Sequence, residues 1–228
     1  MTIILNNPII NPILKTPFSQ ISYVANTGYT GNVIINKPSN KWSNGNILIA
    51  CMSYGTGPIE IPKNWKYIDT NYIFTTTTSL YHICGSNEPS FYYFTSSLKT
   101  DNISVALIEY SGQNLINPIK ELSLNNNVNN TPVFSTITTT NANGSFVVAY
   151  VATSSNGSSD TMSTPTGFSL LGNINPVASN TSTGYASYEY IFQQQLTSTS
   201  TIPNLTVTGT TNGQTLSWCT HLITIGSA

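Results

Sequence analysis

Charge is what this chain has least of. Only 7% of its 228 residues are charged, where ordinary globular proteins carry about a quarter. Arginine is absent, and the seven basic residues are Lys15, Lys37, Lys41, Lys63, Lys66, Lys99 and Lys120. Only Lys63 and Lys66 lie close together, so no basic cluster of the kind that neutralises phosphates exists, and no nucleic-acid partner is expected. A net charge of −1 sets little repulsion between copies of the chain. Solubility rests instead on amides and hydroxyls, since Asn and Thr together make up roughly a quarter of the residues, far above ordinary usage.

Long apolar runs are missing too. No stretch approaches the roughly 18 residues of a membrane helix, so no membrane insertion is expected. The start, MTIILNNPII, has no basic segment, and Pro8 and Pro12 interrupt its apolar character, so no Sec signal is expected. The three cysteines are an odd number, which argues against a full disulfide framework. Cys51 and Cys219 sit in apolar patterns and are expected to be small buried hydrophobes. Cys84 stands before Gly85-Ser86-Asn87 and is expected to be the exposed thiol. Neither CxxC nor a His pair nor a closely spaced set of acids occurs, so no metal and no cofactor is expected.

Helix is the third absence: no twelve-residue window carries a 3.6-residue apolar stripe. Strand-like runs rich in Thr, Val, Ile, Tyr and Phe recur instead between Gly, Pro, Asn and Ser clusters. They predict strands near 20–24, 31–36, 46–54, 65–74, 78–84, 90–96, 103–110, 132–140, 145–153, 168–172, 184–193, 202–208 and 216–225. The Asn-rich stretch Leu124–Pro132 reads as a loop-like crossover, and 153–164 and 173–184 read as surface loops.

Two of these stretches repeat each other. Asn46-Ile47-Leu48-Ile49-Ala50-Cys51, a loop, and Pro62-Lys63-Asn64-Trp65 are matched about a hundred residues later. The later copy is Ser145-Phe146-Val147-Val148-Ala149-Tyr150, a loop, and Pro165-Thr166-Gly167-Phe168. The repeat predicts an all-β, antiparallel two-sheet β-sandwich, jelly-roll-like, built from two similar halves at about 20–123 and 132–226 within one domain, 20–228. Ala50 and Ala149 should occupy matching places, as should Trp65 and Phe168.

Residues 1–19 stand apart. Ile3, Ile4, Leu5, Ile9, Ile10, Ile13, Leu14 and Phe18 are apolar, and Pro8, Pro12 and Pro17 punctuate them. Prolines at that spacing exclude a helix interior or a central strand, leaving an extended arm. Such an arm must bury its side chains on its own sandwich or on a neighbouring copy.

The succession Gly45–Ala50, Ile61–Ile68, Glu88-Pro89-Ser90-Phe91-Tyr92-Tyr93-Phe94, Val105–Gly112 and Asn117-Pro118-Ile119 resembles a β-sandwich domain common in phage tail and tail-fibre proteins and in bacterial surface proteins. That family's usual pattern is G-D-x-L-x-A, P-x-G-W, E-P-x-x-Y-x-F, an apolar strand ending Y-x-G, and N-P-I/V-D. Here Asn46 replaces the Asp, Asn64 the Gly, and Lys120 stands where an acid often follows. If those acids hold a cation in relatives, this chain has lost them. The resemblance implies a display or structural role without enzyme activity.

Catalytic motifs are not found. His82 and His221 have no acid beside them in sequence, no G-x-S-x-G elbow marks a nucleophile, and the eight acids are too dispersed to nominate a pair. The loop-bordering aromatics Trp42, Tyr54, Tyr72 and Tyr185 are the candidate ligand contacts, able to stack on and hydrogen-bond a sugar or a protein. Two readings stand. One is a non-enzymatic subunit that assembles with copies of itself into a virion, appendage or cell- or spore-surface structure. The other is a carbohydrate- or receptor-binding module.

Overall fold

The computed structural model describes residues 18–28, 31–55, 57–73, 75–98, 102–139, 145–156, 161–174, 185–198, 201–203, 205–207, 209–210 and 216–227. No helix occurs among them. The first half supplies β1 (Ser19–Gly28), β2 (Asn32–Asn36), β3 (Ile47–Tyr54), β4 (Ile59–Glu60), β5 (Lys66–Tyr72), β6 (Thr76–Ile83), β7 (Phe91–Ser96) and β8 (Ile103–Ser111). The second supplies β9 (Ile119–Val128), β10 (Val133–Phe134), β11 (Ile137–Thr138), β12 (Phe146–Asn156), β13 (Thr161–Met162), β14 (Ser169–Ile174) and β15 (Tyr185–Gln195). It ends with β16 (Thr201–Ile202), β17 (Leu205–Thr206), β18 (Gly209–Thr210) and β19 (Ser217–Ile225).

Each half builds one five-stranded antiparallel sheet. The orders are β1-β8-β3-β6-β5 and β9-β19-β12-β15-β14, so the two sheets correspond strand for strand. Register agrees as well. Ala50 lies opposite Leu80 and Leu107, and Ala149 opposite Phe192 and Leu222. Both sheets carry a bulge at the same place, between Tyr67 and Asp69 and between Leu170 and Gly172. Trp65 and Phe168 each close a turn onto a proline carbonyl, at 3.3 Å to Pro62 and 3.1 Å to Pro165. Both turns need a left-handed residue just before the aromatic, supplied by Asn64 (φ 71°) and Gly167 (φ 85°). The duplication expected from the sequence is therefore present in topology, register and turn geometry.

Four layers result. The sheet β2-β7-β4 covers the outer face of the first five-stranded sheet over Ala50, Trp65, Tyr92 and Phe94. The short pairs β10–β17 and β11–β16 cover the second over Ala149, Phe134 and Leu205. The inner faces pack on each other through Ile47, Ile49, Ile108 and Tyr110 against Phe146, Val148, Ile191 and Ile225. Strands β3 and β12 are thus covered on both faces, which is why they read as unbroken apolar runs. Strand β1 touches β14, the counterpart of β5, and β5 touches β9, the counterpart of β1. The halves consequently meet as two copies meet across a two-fold axis.

Phe18, the described end of the arm, is buried in this inner layer, its ring 5.0 Å from Phe146 and 5.8 Å from Tyr110. The other arm residues, Ile3 to Leu14, lie outside the described residues. Two expectations are corrected: the surface loop expected at 153–164 is partly strand, with β12 running to Asn156 and β13 at Thr161–Met162, and 124–128 is the second part of β9, an edge strand paired with β19, not a loop. The Asn side chains that make it look loop-like hold the edge in place. Asn126 Nδ2 donates to Asn71 Oδ1 at 2.5 Å, and Asn125 Nδ2 to the Val133 carbonyl at 3.2 Å.

Candidate functional site

A concavity lies on the first half, where the β5 entry turn, the end of β6 and the loop 84–90 converge. Two compartments, about 400 and 480 Å³, share Asn64, His82, Asn87 and Glu88. The His82–Glu88 pair divides them. Glu88 is aimed by three donors: His82 Nε2 at 2.9 Å, the Gly85 amide at 2.5 Å, and the Tyr92 hydroxyl. Burial pushes its carboxyl up, but these hydrogen bonds outweigh burial and hold it below its ordinary value. Burial beside that carboxylate drives the Tyr92 phenol in the opposite direction, well upward. Trp65 stacks on His82 at 5.5 Å and meets Tyr92 edge-on at 5.1 Å, which fixes the floor of the groove.

Exposed groups line its sides. Strand β7 alternates, sending Tyr92 and Phe94 into the core and Phe91 and Tyr93 outward, 49% and 45% exposed. Phe91 and Tyr93 line one compartment with Lys63, and Lys66 and Tyr81 line the other. The Lys66 ammonium stands 5.7 Å over the Tyr81 ring.

The second half shows what the fold needs at these positions. Through the matched turns and registers, Thr166 corresponds to Lys63, Gly167 to Asn64, Ser169 to Lys66, Gln193 to Tyr81 and Gln194 to His82. The same turn and strand entry therefore form without the two lysines, the histidine or the half-buried Tyr81 ring.

The four aromatics nominated from sequence do not converge here. Trp42 is a core residue, 2% exposed, its ring 5.0 Å from Tyr92; the chain reverses there through Asn40 and Trp42 at positive φ, folding the indole inward. Tyr54 is also buried, its hydroxyl 3.0 Å from Thr78 Oγ1. Both are corrected from ligand contact to packing. Tyr72 is exposed but sits at the far end of β5. Tyr185 opens β15, and its side chain lies outside the described residues. Cys84 is likewise buried rather than exposed. The groove residues Phe91 and Tyr93 were legible as the period-two aromatics of Phe91-Tyr92-Tyr93-Phe94. The His82–Glu88 pair was hidden because its members stand six positions apart, on either side of the turn that follows β6.

The remaining buried polar groups are internal. Glu109 accepts from Ser22 Oγ (2.9 Å), the Ser43 amide (3.0 Å) and Asn46 Nδ2 (2.7 Å). This explains Asn46: an aspartate there would set two carboxylates against each other. Between the halves, Ser53 Oγ donates to Glu189 Oε1 at 2.5 Å, with Tyr23, Cys51 and Tyr150 around the carboxyl. Burial pushes Glu189 up to about 8. His221 nitrogens meet Thr77 Oγ1 at 2.8 Å and Ser79 Oγ at 3.0 Å, and burial drives the imidazole down to about 3. With both nitrogens occupied and no exposed surface, His221 ties sheet to sheet. No group of three or more His, Cys, Asp or Glu able to hold a metal occurs among the described residues.

Comparison with protein-family models, with curated proteins and with solved structures finds no match to the chain.

Proposed function

We propose that the chain is a non-enzymatic recognition module that holds a sugar in the first-half groove. The carrying observation is the outward pair Phe91 and Tyr93 at the lip of a groove whose floor is a fixed His82–Glu88–Tyr92 unit. Side chains two residues apart on a strand stand about 7 Å apart, and flat aromatic faces there suit the apolar faces of successive sugar rings. The exposed amides of Asn64 and Asn87 supply acceptors and donors for ring hydroxyls. A lone carboxylate held ionised lacks the second carboxyl that glycosidic hydrolysis needs. The resemblance to tail-fibre and surface-protein sandwiches supports display on a virion or cell surface.

Glycan-array binding by the purified chain, repeated with Phe91→Ala/Tyr93→Ala, tests this reading. Binding that survives the double substitution overturns it. A second reading, a purely structural subunit of an assembly, is favoured by the charge-poor composition and by the exposed Ile34, Leu115 and Ile116. It requires that deleting residues 1–17, which spares the buried Phe18, abolish oligomers while the sandwich stays folded, as read by size exclusion and electron microscopy.

A further inference from the structure

We propose that the groove is built for an acidic sugar chain, one whose rings carry carboxylates, and not for a neutral one. This rests on the sugar-binding reading and adds the charge of the ligand. The chain has seven lysines and no arginine, yet two of the seven flank this groove, Lys63 in one compartment and Lys66 in the other. Each is exposed, and neither is required by the fold, since the duplicate unit builds the same turn and strand entry with Thr166 and Ser169. Lys66 stands with its ammonium 5.7 Å over the face of Tyr81, itself replaced by Gln193 in the duplicate.

Glu88 offsets only part of this charge, being one carboxylate with a side chain 5% exposed against two ammonium groups at the rim. Its carboxylate is spoken for by His82, Tyr92 and the Gly85 amide, all on the divider between compartments. A ligand spanning the divider meets a positive charge on each side and an aromatic lip at Phe91 and Tyr93. A repeating uronic acid has that pattern: an apolar ring face for stacking and a carboxylate recurring along the chain. A neutral polysaccharide leaves both ammonium groups without a partner.

Isothermal titration of the whole chain with polygalacturonate, fully methyl-esterified polygalacturonate and dextran tests the inference. Polygalacturonate should bind, its ester and dextran weakly or not at all, and affinity should fall as salt is raised. Lys63→Gln and Lys66→Gln should each weaken binding about 2–5-fold, the range of exposed ion pairs, while Lys120→Gln, on β9 away from the groove, should leave it unchanged. Equal binding of acid and ester, insensitive to the groove lysines, overturns the acidic ligand but leaves sugar binding standing. Equal weakening by Lys120→Gln shows diffuse attraction and overturns the site. Binding of none of the three polymers, together with a blank glycan array, removes the underlying reading as well. Thermal melts of the exposed-site variants confirm that each is folded.

Discussion

Replacing Glu189 by glutamine should remove the alkaline limb of the stability profile. The carboxyl is fully enclosed between the halves, with Ser53 donating to it and Tyr150, Cys51 and Tyr23 near it. Its pKa stands at about 8 folded against 4.5 ordinarily, and that of His221 at about 3 against 6.5. Between pH 6.5 and 8 the folded chain keeps the Glu189 proton that the unfolded chain has released, so stability falls as pH rises, by about 1.4 kcal/mol per unit. Between pH 3 and 4.5 the unfolded chain holds both protons and the folded chain only one, so stability rises with pH. From 4.5 to 6.5 each state holds one proton from this pair, and the profile is flat. Glu88, held low by its hydrogen bonds, steepens the acid limb as it protonates. For a chain of this length the alkaline limb amounts to about 3–6 °C of Tm per pH unit. Calorimetry from pH 3 to 8 should show that plateau in the natural chain. The glutamine variant should instead climb to pH 6.5 and stay level to pH 8. A variant that still loses stability between pH 6.5 and 8 refutes the assignment of that limb to Glu189.

Gly172→Ala should destabilise by about 1–3 kcal/mol, because its methyl would stand 2.5 Å from the Tyr23 ring that crosses from the other half; a neutral shift of the urea midpoint would show that the ring yields freely. Cys51, Cys84 and Cys219 are buried, and burial raises all three thiols. A thiol reagent at pH 8 should therefore find none in the native chain and all three in denaturant, and rapid native labelling of Cys84 would place it at the surface.

Fold class and duplication were legible because period-two patterning and the Pro-x-x-aromatic turn are local signals that survive divergence. Asn64 and Gly167 even disclose the shared left-handed position. What was not legible depended on the third dimension. The Asn-rich end of β9 carries weak strand propensity, and its pairing comes from β19, about ninety residues away in sequence. Trp42 was nominated for a ligand because it borders turn residues, but its indole is folded inward onto Tyr92, a contact fifty residues away in sequence. The groove mixes a buried floor, His82, Glu88 and Tyr92, with an exposed lip, and only the lip leaves a trace in the pattern.

Fusion of the two units into one chain changes what evolution can do with their shared face. In a dimer of separate copies every substitution appears twice, once on each side of the axis. Glu189 occupies the place that Thr77 holds in the other half, and His221 the place of Ala106. Two separate copies carrying Glu189 and His221 would install two enclosed carboxyls and two enclosed imidazoles; this chain carries one of each. Covalent linkage also frees the pairing from dilution, since the partner is always present at high local concentration. One unit could then acquire lysines, a histidine–glutamate pair and outward aromatics, while its twin stayed a plain support.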